Sequence, residues 1–278
     1  INSKNIVRIL ESHNSLTGLI IENLKHNERE EFDGMWSSSL TDSATKGKPD
    51  NSSVDFSSRI TSLNEMLDVT SKPLVFDADN GGQLEHLPFL IRSLERAGTS
   101  AIIMEDKIGL KKNSLHADTS NQLQENINIF SEKIKTAKDS QKNSEFMVIA
   151  RVESFILGSG IEDALKRAHA YVEAGSDAIM IHSKKKDPSE IFEFSKEFKK
   201  DLSEIPLVCV PSTYSSVKEY ELIENKFNLV IYANHLFRAA YPAMVKAAES
   251  ILRNERSKEI EENLTSIKEM MNLIPGTK

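Results

Sequence analysis

Two aspartates stand two residues apart in Asp77-Ala78-Asp79-Asn80-Gly81-Gly82, at the end of a short apolar run. In an extended strand that spacing sends both carboxylates to one side, and the glycines let the chain turn tightly afterwards. A second run, Ala101-Ile102-Ile103-Met104, ends in Glu105 and Asp106. Carboxylates gathered from neighbouring strand ends repel one another unless a cation or protons intervene. Asp77, Asp79 and Glu105 offer hard oxygen donors without Cys or His, a set that suits Mg²⁺, or Mn²⁺, better than Zn²⁺. Asp77 is the expected direct ligand; the competing role for Asp79 is to cap the next helix.

Other apolar runs end in reactive groups too: Trp36 and Ser38, Arg151 and Glu153, His182 and Ser183, Ser212, and Asn234 with His235. A guanidinium at the end of an apolar strand is costly unless it meets an anion, and Arg151 suits a carboxylate or phosphate gripped through two hydrogen bonds. Pairing with Glu153 or a metal-site carboxylate is the alternative. His182 suits a substrate contact or a structural role. Asn234 and His235 are weaker candidates, expected to support the site. The Ser37–Leu40 stretch can present backbone N–H groups and hydroxyls to an anion. Cys209, between valines, reads as a small buried apolar residue.

The elements that must position these groups follow from the pattern. Apolar runs at 32–36, 74–79, 101–106, 146–153, 177–183, 207–212 and 229–235 are short and lack strict polar alternation, as strands buried on both faces do. Residues 6–14 are an eighth candidate, or else an N-terminal helix. Amphipathic stretches lie between the runs, two of them stopped by Gly98 and Gly175. Alternating strands and helices imply a parallel sheet of right-handed units. Their number predicts an α/β fold, a single-domain (β/α)₈ TIM-type barrel over 1–278, whose strand C-termini converge on one face. Two long polar segments, about 37–58 and 107–122, are expected as loops, either lids or plain surface. Near the end (about 255–275) Ile260, Leu264, Ile267 and Met271 form an apolar stripe suited to capping the barrel or packing on another subunit.

Composition narrows the classes. The 278 residues carry a formal net charge of −7, which disfavours a nucleic-acid surface. No apolar run reaches the length of a membrane helix, and the start lacks the apolar stretch of a secretory signal. One cysteine excludes an intrachain disulfide. A cytoplasmic location and a small-molecule substrate are expected.

Several of these stretches, taken together, resemble the mutases of the isocitrate lyase/phosphoenolpyruvate mutase superfamily. They are SHNSLTGLI (12–20), FDGMWSSSL (32–40), DADNGG (77–82), EDKIGLKKNS (105–114), ARVESFILGSG (150–160), VPSTY (210–214) and YANHLFRAA (232–240). The most discriminating is EDKIGLKKNS, where Glu105, Asp106, Lys107, Lys111, Asn113 and Ser114 match the mutase pattern. The resemblance implies interconversion of phosphoenolpyruvate and phosphonopyruvate, the step that makes the carbon–phosphorus bond in phosphonate biosynthesis. It implies Mg²⁺ held directly by Asp77, with Asp79 and Glu105 acting through water. It implies that the N–H groups of Ser39 and Leu40 hold the substrate carboxylate, and that Trp36, Ser38, Asn113, Ser114, Arg151 and His182 surround the substrate. Lys111 and Asn113 would ride on a gating loop, and Asp50 matches a catalytic aspartate. A homo-oligomer, dimer or tetramer, with its C-terminal helix exchanged between subunits is also implied.

Three departures stand out. Ser39 replaces a usual glycine, DADNGGQ replaces a DTDTGYGN-like turn, and KHNERE (25–30) is slightly long. The rival activity within the family is phosphonopyruvate hydrolysis, whose enzymes lose the Lys111-x-Asn113-Ser114 pattern. A carbon–carbon lyase would need a lid cysteine that this chain lacks.

Overall fold

Eight short parallel strands close a barrel in chain order: β1 (Val7–Glu11), β2 (Gly34–Ser37), β3 (Leu74–Asp77), β4 (Ala101–Glu105), β5 (Met147–Val152), β6 (Ala178–Ile181), β7 (Leu207–Cys209) and β8 (Leu229–Tyr232). β1 pairs with β2 on one side and β8 on the other, so residues 7–11 are a strand and not an N-terminal helix. The computed structural model describes residues 4–27, 30–115, 121–274 and 276. By its internal contacts the chain divides into two units, Ile1–Ala233 and Asn234–Lys278.

Helices alternate with the strands of the first unit: α1 (Ser15–Asn23), α2 (Ser39–Thr45), α3 (Phe56–Leu67), α4 (Leu87–Ala97), α5 (Ile127–Ser140), α6 (Ser154–Leu157), α7 (Gly160–Glu173), α8 (Ser189–Asp201) and α9 (Glu219–Glu224). α4 shows why the amphipathic stretches fold as they do. It buries Leu87, Leu90, Ile91 and Leu94, one stripe at helical spacing, and stops where Gly98 turns left-handed at φ 93°.

The segment 37–58 differs from the expected single loop, because α2 and the start of α3 lie within it. The polar side chains of its first part, Ser37 to Ser43, are buried, whereas most of those from Thr45 to Ser57 are exposed. Thr45 donates to the Thr41 carbonyl, and Asp42 is fully buried against Arg59 of α3. Polarity at the start of the segment reports a buried network, and polarity in the rest of it reports solvent.

Inward side chains fill the barrel in layers. Ile9, Trp36, Val75, Ile103, Ile149, Met180 and Val210 belong to its apolar core. Strand side chains repeat every two residues, so the next inward positions are Glu11, Ser38, Asp77, Glu105, Arg151, His182 and Ser212. The core thus gives way within one layer to a polar mouth at the C-terminal ends of the strands, where barrels of this kind carry their sites.

The second unit holds α10 (His235–Asn254), α11 (Lys258–Glu261) and α12 (Ile267–Leu273). The stripe expected near the C-terminus is broken up: Ile260 of α11 is buried, while Leu264, between the helices, and Ile267 and Met271 of α12 are exposed. Asn234, in a left-handed conformation at φ 53°, and His235 begin this unit. Among the described residues no helix is long and apolar enough to cross a membrane.

Candidate active site

β3 and β4 deliver the three carboxylates side by side. Asp77 ends β3, and Asp79 follows in a left-handed conformation at φ 52°. Gly81 then turns left-handed at φ 79°, and a Cβ there would lie 2.7 Å from Met104 Sδ, so the turn needs glycine for both reasons. Asp79 does not cap the next helix, which begins only at Leu87. Asp77 Oδ1 accepts from the Asp79 N–H at 3.1 Å.

The N-terminal turn of α2 closes on the same group. The Ser39 N–H and hydroxyl both donate to Asp77 Oδ2, at 3.2 and 3.1 Å. The serine that departs from the family's glycine therefore adds a bond to the expected metal ligand. Of the turn expected to hold a substrate carboxylate, the Ser39 donors are taken here by the protein's own Asp77.

The segment after β4 is anchored at its base by a bridge between Lys107 and Gln124, with the Ile108 N–H donating to the Leu123 carbonyl. It then crosses the mouth. Lys111 is buried with its ammonium 2.7 Å from Asp79 Oδ1, 3.5 Å from Asp77 Oδ2 and 3.8 Å from Glu105 Oε2. The Lys111 N–H donates to Ser52 Oγ, and the Asn113 amide donates to Asp50 Oδ2 at 3.3 Å. Lys111 and Asn113, expected on a loop over the substrate, here contact the protein's own carboxylates and the 50–52 loop. Residues 116–120 of the lid lie outside the described residues.

Arg151 sits at the far side of the cluster. Its Nε donates to Glu153 Oε1 at 2.5 Å, its Nη2 to Ser114 Oγ at 2.8 Å, and it lies 3.5 Å from Glu105 Oε2. Of its two expected partners, the protein's own carboxylates are the ones in place. Ser114 donates to Glu153 Oε2 at 2.5 Å and accepts from Lys107 Nζ at 2.8 Å, so lid and strand share one network.

Here four carboxylates (Asp77, Asp79, Glu105, Glu153) face three cations (Lys107, Lys111, Arg151). Burial by itself would raise the Asp77 carboxyl, but Lys111, Arg59 and Arg151 hold it below the ordinary carboxylate range. Glu105 goes the other way: burial outweighs Lys111, Arg151 and Lys107, and Glu153 adds to the rise. Burial would raise Glu153 too, but Arg151 and Lys107, with His182 and the Ser114 hydroxyl, pull it down to about 2. Asp50 is raised by burial, with Asp77 and Asp79 adding and Lys111 opposing. Burial, then Arg151, drive His182 down to about 3, so its imidazole is neutral.

The donor set fits a hard divalent ion. Glu105 Oε2 is buried without a hydrogen bond, and Asp79 Oδ1 meets only the lysine. As they stand, no three His, Cys, Asp or Glu side chains among the described residues are arranged to hold an ion. The Lys111 ammonium lies among these carboxylates.

The rest of the mouth is different. Trp36 Nε1, His182 Nδ1, Ser212 Oγ and Glu11 Oε2 are buried without a hydrogen-bond partner among the described residues. Sequence reasoning passed over Glu11, whose Oε1 bonds His13 Nδ1 at 2.8 Å; the signal was its place two residues after Ile9. It also missed Lys107 as a site group, and Asp42 and Arg59, which stand behind Asp77. Ser38 is buried at the start of α2, and Leu40 is half-buried one residue beyond Ser39. Cys209 is fully buried and its thiol is pushed up by burial, as an inert core residue.

A family model described as phosphoenolpyruvate phosphomutase matches residues 1–252. The chain belongs to the phosphoenolpyruvate phosphomutase family. The phosphoenolpyruvate phosphomutase of Tetrahymena pyriformis is 39% identical over 274 residues, 98% of this chain and 88% of that protein. A solved phosphoenolpyruvate phosphomutase from Streptomyces platensis subsp. rosaceus superposes with a TM-score of 0.90 at 33% identity, covering 98% of this chain and 91% of that one. A phosphonopyruvate hydrolase solved with oxalate and Mg²⁺ superposes at 0.84, also at 33% identity, covering 96% and 89%. The barrel of this family is therefore shared by enzymes that move a phosphoryl group to carbon and enzymes that give it to water, and the groups at the mouth must decide between them.

Proposed function

We propose that the protein is a phosphoenolpyruvate mutase, an isomerase that interconverts phosphoenolpyruvate and phosphonopyruvate by intramolecular phosphoryl transfer in phosphonate biosynthesis. The observation that carries this reading is the lid: Lys111, Asn113 and Ser114 each bond a group of the barrel mouth or the Asp50 loop. A phosphoryl group in flight between oxygen and carbon needs donors around it and water kept out. A lid that brings an ammonium and an amide supplies both. A hydrolase must instead admit water to the same space.

Each group has a role in this reading. The N–H groups of Ser39 and Leu40 hold the substrate carboxylate, with Trp36 and Ser38 beside it. Asp50 and Asn113 flank the reacting centre, and Lys111, Ser114, Arg151 and neutral His182 donate to the phosphoryl oxygens. Asp77 would bind Mg²⁺ (or Mn²⁺) directly, with Asp79 and Glu105 acting through water. Such an ion supplies positive charge that stabilises the enolate as the phosphoryl group departs. A cytoplasmic location and a homo-oligomer, dimer or tetramer, complete the proposal. Tyr241, Met244 and Leu252 on α10 and Ile267 on α12 are exposed apolar residues of the kind a second copy would cover by helix exchange, and sedimentation at equilibrium would give a monomer if this is wrong.

Phosphorus NMR of phosphonopyruvate incubated with the enzyme and Mg²⁺ tests the activity. Phosphoenolpyruvate is the expected product. Free phosphate with pyruvate would assign the hydrolase, which the 33% identity to a hydrolase keeps as the second reading. An unchanged spectrum would remove both.

A further inference from the structure

Behind Asp77 lies a buried charge that neither the strand-end pattern nor the lid explains. Arg59, from the first turn of α3, is 1% exposed. Its Nε donates to Asp42 Oδ2 at 2.8 Å, its Nη1 to the Asp77 carbonyl at 2.5 Å and its Nη2 to the Ser37 carbonyl at 3.3 Å. The guanidinium lies 4.2 Å from the centre of the Phe76 ring. One side chain therefore joins the end of β2, the end of β3 and α2. Asp42 is fixed a second time, accepting from Ser37 Oγ at 2.9 Å, and its own N–H donates to the Ser38 carbonyl.

Burying a guanidinium is expensive, and apolar side chains of similar volume often serve stability as well or better. What an apolar side chain cannot do is bind two strand ends and a helix at once. Lysine cannot replace it either, because a planar fork reaches acceptors in different directions while stacking on a ring, and an ammonium does not. The consequence is seen in front of the arginine, where Ser39 of α2 meets the carboxylate of Asp77 through both its N–H and its hydroxyl.

We propose that Arg59 is a positioning residue of the phosphoryl-transfer site, setting the first turn of α2 at a fixed distance from the Asp77 carboxylate. It touches neither substrate nor metal and acts through Asp42 and the backbone of Ser37 and Asp77. The proposal rests on the reading that the Ser39 and Leu40 N–H groups hold a carboxylate beside a metal on Asp77.

The test is calorimetric titration of the full chain with oxalate at saturating Mg²⁺, read beside the melting temperature. Wild-type protein that binds no oxalate would remove the site reading, and this proposal with it. With wild-type binding in hand, Arg59→Lys is expected to bind oxalate about tenfold more weakly while melting within about 3 °C of wild type. Ser37→Ala, which takes one bond from the same network, is expected to lose about threefold. Unchanged oxalate affinity in a well-folded Arg59→Lys overturns the proposal and leaves the site reading intact. Should Arg59→Lys melt far below wild type or fail to fold, Ser37→Ala decides by the same criterion, and unchanged affinity there overturns the proposal.

Discussion

The two halves of the barrel mouth are built on opposite principles. Around β3, β4 and β5 the charges answer one another: Lys111 lies among Asp77, Asp79 and Glu105, and Arg151 bonds Glu153 and Ser114. Around β6, β7, β1 and β2, His182 Nδ1, Ser212 Oγ, Trp36 Nε1 and Glu11 Oε2 are buried with no hydrogen bond among the described residues. Buried polar atoms without partners cost stability. Unsatisfied atoms occur in the charged half too, at Glu105 Oε2 and Asp79 Oδ1, but there cations lie within ion-pair distance, whereas none of the four atoms of the other half lies in an ion pair among the described residues. The charged half is held by its own ion pairs, and the neutral half offers polar atoms that a ligand can meet. Substitutions in the first half should act on closure and ion binding; those in the second should act on stability and substrate affinity.

Lys111 breaks this comparison most directly, because on the proposed reading the lid's ammonium and a divalent ion would compete for the same oxygens. Lys111→Ala is expected to lower mutase turnover by on the order of 10³-fold and yet to bind Mn²⁺ about tenfold more tightly. Asn113→Ala removes the contact to Asp50 but no charge, and is expected to cost on the order of 10² in turnover with Mn²⁺ affinity unchanged. Electron paramagnetic resonance of Mn²⁺ against a phosphorus NMR rate separates the two readouts. Parallel losses of rate and ion affinity in Asn113→Ala would contradict its place on the lid, and weaker Mn²⁺ binding in Lys111→Ala would contradict the competition.

The charged half was the more legible of the two in the sequence. Carboxylates at strand ends stand out against apolar runs, and the period of two that carries Val75 into the core also carries Asp77 to the mouth. The barrel followed from the same runs, since strands buried on both faces have few polar residues to disguise them. What escaped was charge hidden on helices. Arg59 shares the buried face of α3 with Leu63 and Met66, four and seven residues on, and that spacing was a usable signal. Asp42 gave none, because a buried aspartate in a run of Ser and Thr reads the same as a solvated one. Which partner Arg151 takes was also beyond the sequence, because a guanidinium at a strand end suits a substrate anion or Glu153 equally well.

His182 belongs to the neutral half but faces the cations of the other, and its response to pH measures how strongly the halves feel each other. Burial, then Arg151, hold it down at about 3 in the fold, against roughly 6.5 in the unfolded chain. Between those values the unfolded chain binds a proton that the folded one refuses, so its contribution is present above pH 6.5 and lost as the pH falls towards 3. The slope is at most about 1.4 kcal/mol per pH unit. Glu153, held at about 2, loses its share only below the ordinary glutamate range. Burial pushes the Asp106 carboxyl up to about 7, so it also titrates between pH 7 and pH 5, and the difference between wild type and a His182 variant, which share that group, is what reports the histidine. His182→Gln is expected to gain about 2 kcal/mol on wild type over that interval, measured by urea unfolding at the two pH values. Parallel pH dependence of the two proteins would mean that His182 takes up its proton in the folded state as readily as in the unfolded one.

Ser212 offers the smallest and cleanest contrast. Its hydroxyl is buried without a hydrogen bond, so removing it should relieve a penalty and create only a small void. Ser212→Ala is expected to raise stability by about 1 kcal/mol without ligand, while Ser114→Ala, which breaks bonds to Lys107, Arg151 and Glu153, should lower it. The signs differ because one hydroxyl has every partner it needs and the other has none. If Ser212 is one of the groups left open for substrate, the gain should carry a penalty of a few-fold in KM for phosphonopyruvate, with kcat nearly unchanged. A stabilised variant with an unaltered KM would place Ser212 outside the substrate's reach. A destabilised one would mean that water already satisfies the hydroxyl, and that the neutral half of the mouth is wet.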